Sequence, residues 1–117
     1  MVVRDIVQAV DGRVLVGEDQ MDREIKSACG ADLMSDVLAF VKEKTLLITG
    51  LTNLLVVRTA EMLDITCILF ARGKVPSEDI LQEAKKLDLI VLSTDLTTYT
   101  ACGVLYKLGL PGTEERK

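Results

Sequence analysis

The chain has no histidine and no tryptophan, only two tyrosines and two phenylalanines, and three cysteines and two prolines in 117 residues. Each scarcity excludes something. Without histidine the commonest general acid/base and the commonest metal ligand are missing, so no Ser-His-Asp or Cys-His unit can be built within one chain. Cys29, Cys67 and Cys102 are odd in number and far apart, and no C-x-x-C occurs. That argues against a disulfide framework and against a zinc site. No metal and no cofactor is expected. The phosphate loop G-x-x-x-x-G-K-[ST] and the dinucleotide fingerprint G-x-G-x-x-G are also missing. With aromatics scarce, the core must be built from Leu, Ile, Val, Ala and Met, which suits an α/β domain better than an aromatic-rich β-sandwich.

Clustered positive charge is lacking too. Fourteen basic residues stand against eighteen acidic ones, a net charge of −4. Phosphate-backbone binding needs grouped Lys and Arg, so neither nucleic acid nor a polybasic membrane contact is expected. No apolar run approaches the ~20 residues of a membrane span. Met1-Val2-Val3-Arg4-Asp5 has no leader pattern. A cytoplasmic chain is the expectation.

What the sequence does have is 49% apolar residues, concentrated in three short runs that each stop at a small polar cluster. They are Leu46–Ile48 before Thr49-Gly50-Leu51-Thr52-Asn53, Cys67–Ala71 before Arg72-Gly73-Lys74, and Leu89–Leu92 before Ser93-Thr94-Asp95-Leu96-Thr97. Continuous apolar runs are the signature of parallel strands covered on both faces. Such sheets hold ligands outside the carboxyl ends of their strands, and all three clusters fall there. Thr49, Gly50, Thr52, Asn53, Arg72, Gly73, Ser93, Thr94 and Asp95 are therefore the candidate ligand-binding residues. None is assigned a catalytic role, since no Ser or Thr here has an obvious activating base. Asp32 and Asp36, four apart, are read as helix-capping or exposed acids. Cys29 is expected to be the most accessible thiol.

Along the chain, Val3, Ile6, Val7 and Val10 have helical spacing, which Asp11-Gly12 ends. Arg13 to Gly17 reads as a strand, Glu18 to Asp22 as a polar turn and Glu24 to Cys29 as a weak second strand. A helix capped by Asp32 or Ser35 is expected to run to about Lys42. Asn53 caps a helix through about Leu63, and Ser77 caps another that has acids in its first turn. The last helix is read as Leu96 to Leu108, with Gly109 as its stop. Residues 1–110 form one domain and 111–117 a flexible tail.

Several segments resemble the DRTGG domain family. Ala28-Cys29-Gly30-Ala31-Asp32-Leu33-Met34-Ser35-Asp36-Val37-Leu38 is similar to its G-D-L-L-S-D-V-L segment. Leu47-Ile48-Thr49-Gly50-Leu51-Thr52-Asn53, followed by Ala60-Glu61-Met62-Leu63-Asp64-Ile65, is similar to its central unit. Arg72-Gly73-Lys74-Val75-Pro76-Ser77-Glu78 resembles a G-x-x-P helix start, and Ile90 to Tyr106 the closing unit. The literal D-R-T-G-G is absent; the comparable loops read Thr49-Gly50-Leu51-Thr52-Asn53 and Ala71-Arg72-Gly73. The resemblance implies a three-layer α/β/α sandwich with a mostly parallel sheet of about five strands, similar to the N-terminal domain of HPr kinase/phosphorylase. Members of the family are attached to CBS-domain pairs, phosphate acetyltransferases or cobyrinate-synthase-like ATPases. Others stand alone, some near iron hydrogenase genes in anaerobes.

The resulting expectation is a non-catalytic regulatory, ligand-sensing or interaction domain. It forms a homodimer, takes a small phosphorylated ligand, and has a protein partner in anaerobic redox (hydrogenase) or energy metabolism. The alternative is a nucleotide- or phosphometabolite-binding enzyme, or a phosphotransfer-linked factor, using the same strand-end loops.

Overall fold

The computed structural model describes residues 1–40 and 44–113. The helices are α1 (Val3–Ala9), α2 (Met34–Phe40), α3 (Leu54–Met62), α4 (Glu78–Lys86) and α5 (Thr98–Lys107). The strands are β1 (Arg13–Val16), β2 (Ser27–Gly30), β3 (Thr45–Thr49), β4 (Cys67–Phe70) and β5 (Ile90–Ser93), in the sheet order β1-β5-β4-β3-β2. β2 to β5 are parallel in sequential order, and β1 lies antiparallel on the outer side of β5.

That order dictates where the helices go. Crossovers between parallel strands are right-handed almost without exception. Three steps in one direction therefore put α2, α3 and α4 on one face, where they pack with Leu47, Ile68, Phe70 and Val91. α1 and α5 cover the other face, against Leu46, Ile48, Cys67, Leu69, Ile90 and Leu92. Successive strand residues alternate between the two clusters, as the two-residue period of a strand requires. Every residue of β3, β4 and β5 is buried, which is why these strands read as unbroken apolar runs. This is the α/β/α sandwich that the sequence implies. At Gly30 a Cβ would stand 2.7 Å from the Cys102 sulfur, so glycine lets α5 settle onto β2.

Four of the helices, α1, α3, α4 and α5, stop by one device. Val10, Leu63, Leu87 and Leu108 are the C-caps. The next residues, Asp11, Asp64, Asp88 and Gly109, all have positive φ. The amide after each donates five residues back: Gly12 to Val7, Ile65 to Ala60, Leu89 to Ala84 and Leu110 to Leu105. This is the Schellman motif. At the first helix the left-handed residue is Asp11, not the expected Gly12.

Other boundaries shift for identifiable reasons. The second strand begins at Ser27, because Ile25 instead donates to the Met1 carbonyl (2.7 Å) and Lys26 to that of Lys44 (2.9 Å). α5 begins at Thr98, with Thr97 accepting from the Thr100 amide at 3.3 Å. Asn53 caps α3 as expected, accepting from Val56 at 3.3 Å. Ser77 occupies the N-cap of α4, but its side chain makes no capping bond. α2 ends at Phe40 in the described residues; the expected end at Lys42 lies outside them.

Both ends of the described chain converge at the base of the sheet. Met1 reaches Ile25, and the Pro111 carbonyl accepts from Ala28 at 2.9 Å. The sequence places the domain's end at Leu110; Gly112 bridges to Ala28 and Thr113 is buried, while 114–117 lie outside the described residues.

Candidate ligand site at the strand tips

The helices after β4 and β5 leave to opposite faces of the sheet. Where neighbouring parallel strands diverge in this way, an α/β sheet opens a crevice at its carboxyl edge. Here the crevice is bridged by backbone. Ala71 to Lys74 form a tight turn closed by Lys74 N–H to Ala71 C=O, 3.2 Å. Arg72 and Gly73 have φ of 61° and 69°, the pattern of a type I′ turn. Glycine suits that conformation, whereas an arginine pays about 1–2 kcal/mol for it. The turn presents the Arg72 amide to the Leu96 carbonyl (2.7 Å) and the Gly73 amide to that of Thr94 (2.8 Å).

The hydroxyls at the tips are committed to the fold. Thr49, Ser93 and Thr94 are buried. Thr94 donates to the Val10 carbonyl at 2.7 Å and accepts from the Leu96 amide at 3.3 Å. Ser93 donates to the Lys74 carbonyl at 3.1 Å. Thr49 donates to Asp32 Oδ1 at 3.0 Å, and the same oxygen accepts from the Gly50 amide at 2.8 Å. Asp32 therefore ties the β2 tip to the β3 tip. It precedes α2, so it does not share a helix face with Asp36.

Two charges are left over. The Arg72 guanidinium lies over Gly50, 3.5 Å from where a Cβ would stand. Gly50 has no positive φ; the space it leaves is taken by Arg72. Among the described residues, the Arg72 and Lys74 side chains have no hydrogen-bond or ion-pair partner. A third cation, Arg13, is held: it bonds Asp95 at 3.1 Å and Ser93 at 3.2 Å. The sequence reading did not single out Arg13. Only the antiparallel pairing of β1, with Arg13 opposite Ser93, carries it to the tips.

The family model for the DRTGG domain matches residues 5–108. The chain belongs to the DRTGG domain family. No curated protein matches it in sequence. Among solved structures it is similar to the CBS and DRTGG domains of the regulatory region of Clostridium perfringens pyrophosphatase, complexed with the activator diadenosine tetraphosphate. The TM-score is 0.72 at 18% identity, over 94% of this chain. The DRTGG chain described here spans about half of that one, 47%, and at this identity the likeness speaks for the fold.

In this DRTGG domain the two remaining candidates, Thr52 and Asn53, lie in the loop between β3 and α3. Asn53 spends its side chain on capping α3, and Thr52 is half-buried beside it. Arg58 pairs with Glu61 at 3.7 Å and with Glu83 at 3.2 Å, joining α3 to α4. Cys29 and Cys102 are both half-buried, and Cys67 is fully buried. Burial pushes the thiols of Cys67 and Cys102 up from the ordinary value. Among the described residues, no group of three His, Cys, Asp or Glu side chains is placed to hold a metal ion. No helix among them is long and apolar enough to cross a membrane. Around the polar centre, Leu33, Leu54, Leu55, Val75 and Tyr99 are exposed. Each lies in a loop leaving a parallel strand or in the first turn of the helix after it, so the topology rims the tips with apolar side chains.

Proposed function

We propose that this DRTGG domain is a regulatory module with no reaction of its own, which binds a small phosphorylated ligand at the strand tips and acts as a cytoplasmic homodimer. The observation that carries the reading is the pair of cations, Arg72 and Lys74, unpartnered among the described residues, at an edge where Asp32, Thr49, Asn53, Ser93, Thr94, Arg13 and Asp95 are already bonded. A guanidinium offers fixed paired donors to phosphate oxygens, and an ammonium adds a mobile charge. Thr49, Ser93 and Thr94 hold the loops that aim them, while Gly50, Thr52, Asn53, Gly73 and Asp95 border the ligand. The activator in the pyrophosphatase complex, diadenosine tetraphosphate, belongs to the same chemical class. The likeness to the HPr kinase N-terminal domain and a protein partner in redox or energy metabolism belong to this reading through the family resemblance.

The enzymatic alternative has less support, because the hydroxyls that would serve as nucleophiles at the tips donate to carbonyl or carboxylate oxygens within the fold.

Thermal-shift measurement with diadenosine tetraphosphate, adenosine monophosphate and inorganic pyrophosphate tests the proposal. A binding ligand at roughly a hundred times its Kd adds about 2.7 kcal/mol, a rise of several degrees. Arg72→Gly abolishes the rise. If none of the three moves the melting temperature, the ligand reading is wrong.

A further inference from the structure

From the rim of the tips towards the base, α5 carries a second feature. Tyr99 is 88% exposed and Tyr106 60%. Between them lies Gly103, where an added Cβ would meet nothing within 4 Å. The spacing 99, 103, 106 puts all three on one helix face. Beside that face runs a groove of about 570 Å³, floored by Gly30 and Ile48 and closed by Pro111. Among the described residues, Lys107 is the one charged residue that lines it.

One helix face thus offers both a projecting ring and a hole. That is what a two-fold contact requires, because the same patch must serve as both partners. The two tyrosines alone expose roughly 300 Å², more than a third of the ~800 Å² that each partner of a standard interface buries. The charge also fits. In two antiparallel copies of α5 crossing at Gly103, the position four residues after the crossing meets the position four residues before it. Lys107 then meets Tyr99 of the second copy, a cation against an aromatic face.

We propose that this face binds a second copy of the chain, α5 against α5 with Gly103 at the crossing. The inference rests on the homodimer reading above and names the surface that forms it.

Sedimentation velocity over a concentration series, on the whole chain, tests it with Gly103→Arg and Tyr99→Ser. The open space at Gly103 and the exposure of Tyr99 leave both variants folded. The expected result is a wild-type dimer, a monomeric Gly103→Arg and a Tyr99→Ser dimer roughly thirtyfold weaker. A dimer unchanged by both substitutions overturns the α5 face and leaves the homodimer standing. A wild-type monomer at high concentration overturns both. So does a monomer that binds anilinonaphthalene sulfonate in a way that Gly103→Arg abolishes, which would make the groove a small-molecule site. None of these outcomes depends on whether phosphorylated ligands bind at the tips.

Discussion

Asp32 and Gly50 meet across two loops: the carboxylate of one accepts the amide of the other at 2.8 Å. The same oxygen takes the Thr49 hydroxyl, so one acceptor fixes two neighbouring strand tips. A hydrogen bond to a charged acceptor contributes about 1.5–3 kcal/mol. Asp32→Ala is expected to lose stability of that order in urea unfolding, and Asp32→Asn much less, since the amide oxygen accepts the same two bonds. An equal loss from both would show that charge, not acceptor geometry, holds the tips.

Arg72 is expected to separate stability from recognition. Its left-handed backbone favours glycine, so Arg72→Gly relieves about 1 kcal/mol of strain. The two amides that bridge to Leu96 and Thr94 are untouched. The variant should unfold at higher denaturant than the wild type and yet lose anion binding. A destabilised Arg72→Gly would mean that the guanidinium is a structural prop on Gly50.

Asp64 is the simplest place to raise stability. It fills the left-handed position after α3, and its replacement by glycine keeps both backbone bonds of the motif. Asp64→Gly is expected to add about 0.5–1 kcal/mol. Asp88→Gly should gain less, because Asp88 also accepts from Gln20 at 2.9 Å.

Thr94 spans the sheet's edge to reach Val10. Thr94→Val keeps the shape but leaves the Val10 carbonyl without this partner, a cost of about 1–3 kcal/mol. A neutral result would show that another donor or water replaces the hydroxyl.

Two pH dependences follow from burial and pairing. Burial raises the Cys67 thiol, so it stays neutral in the fold, whereas in the unfolded chain it ionises near ~8.5. Stability is complete below that value and falls above it, by up to about 1.4 kcal/mol per pH unit. Cys67→Ala should flatten the alkaline limb. At the acid end, the Lys44 ammonium lies 3.0 Å from Glu24 and holds its carboxyl below the ordinary value. Its contribution is present above the unfolded pKa and lost as pH falls through the folded one. Lys44→Met should return the Glu24 carbon resonance to an ordinary titration midpoint.

The central sheet was legible because β3, β4 and β5 are buried on both sides, and double burial leaves a continuous apolar record. The helix stops were only partly legible. Asp11, Asp64 and Asp88 do the work usually associated with glycine, and an exposed Asp carries no such mark in a sequence. The tip loops were placed correctly as a set, but the committed role of each hydroxyl was hidden. Thr94 reaches a carbonyl 84 positions away, and no local pattern records such a bond. Arg13 was missed for the same reason: strand pairing, not spacing, delivers it.

The convergence of Met1 and Pro111 beside β2 has a consequence for how the domain can be built into larger proteins. Entry and exit lie together at the base, opposite the tips. A host chain can therefore receive the whole unit through one pair of neighbouring junctions without straining either. By the same geometry, a circular permutant that joins residue 113 to Met1 through a short glycine linker, and opens in the exposed Glu18-Asp19 turn, should fold to the same sheet.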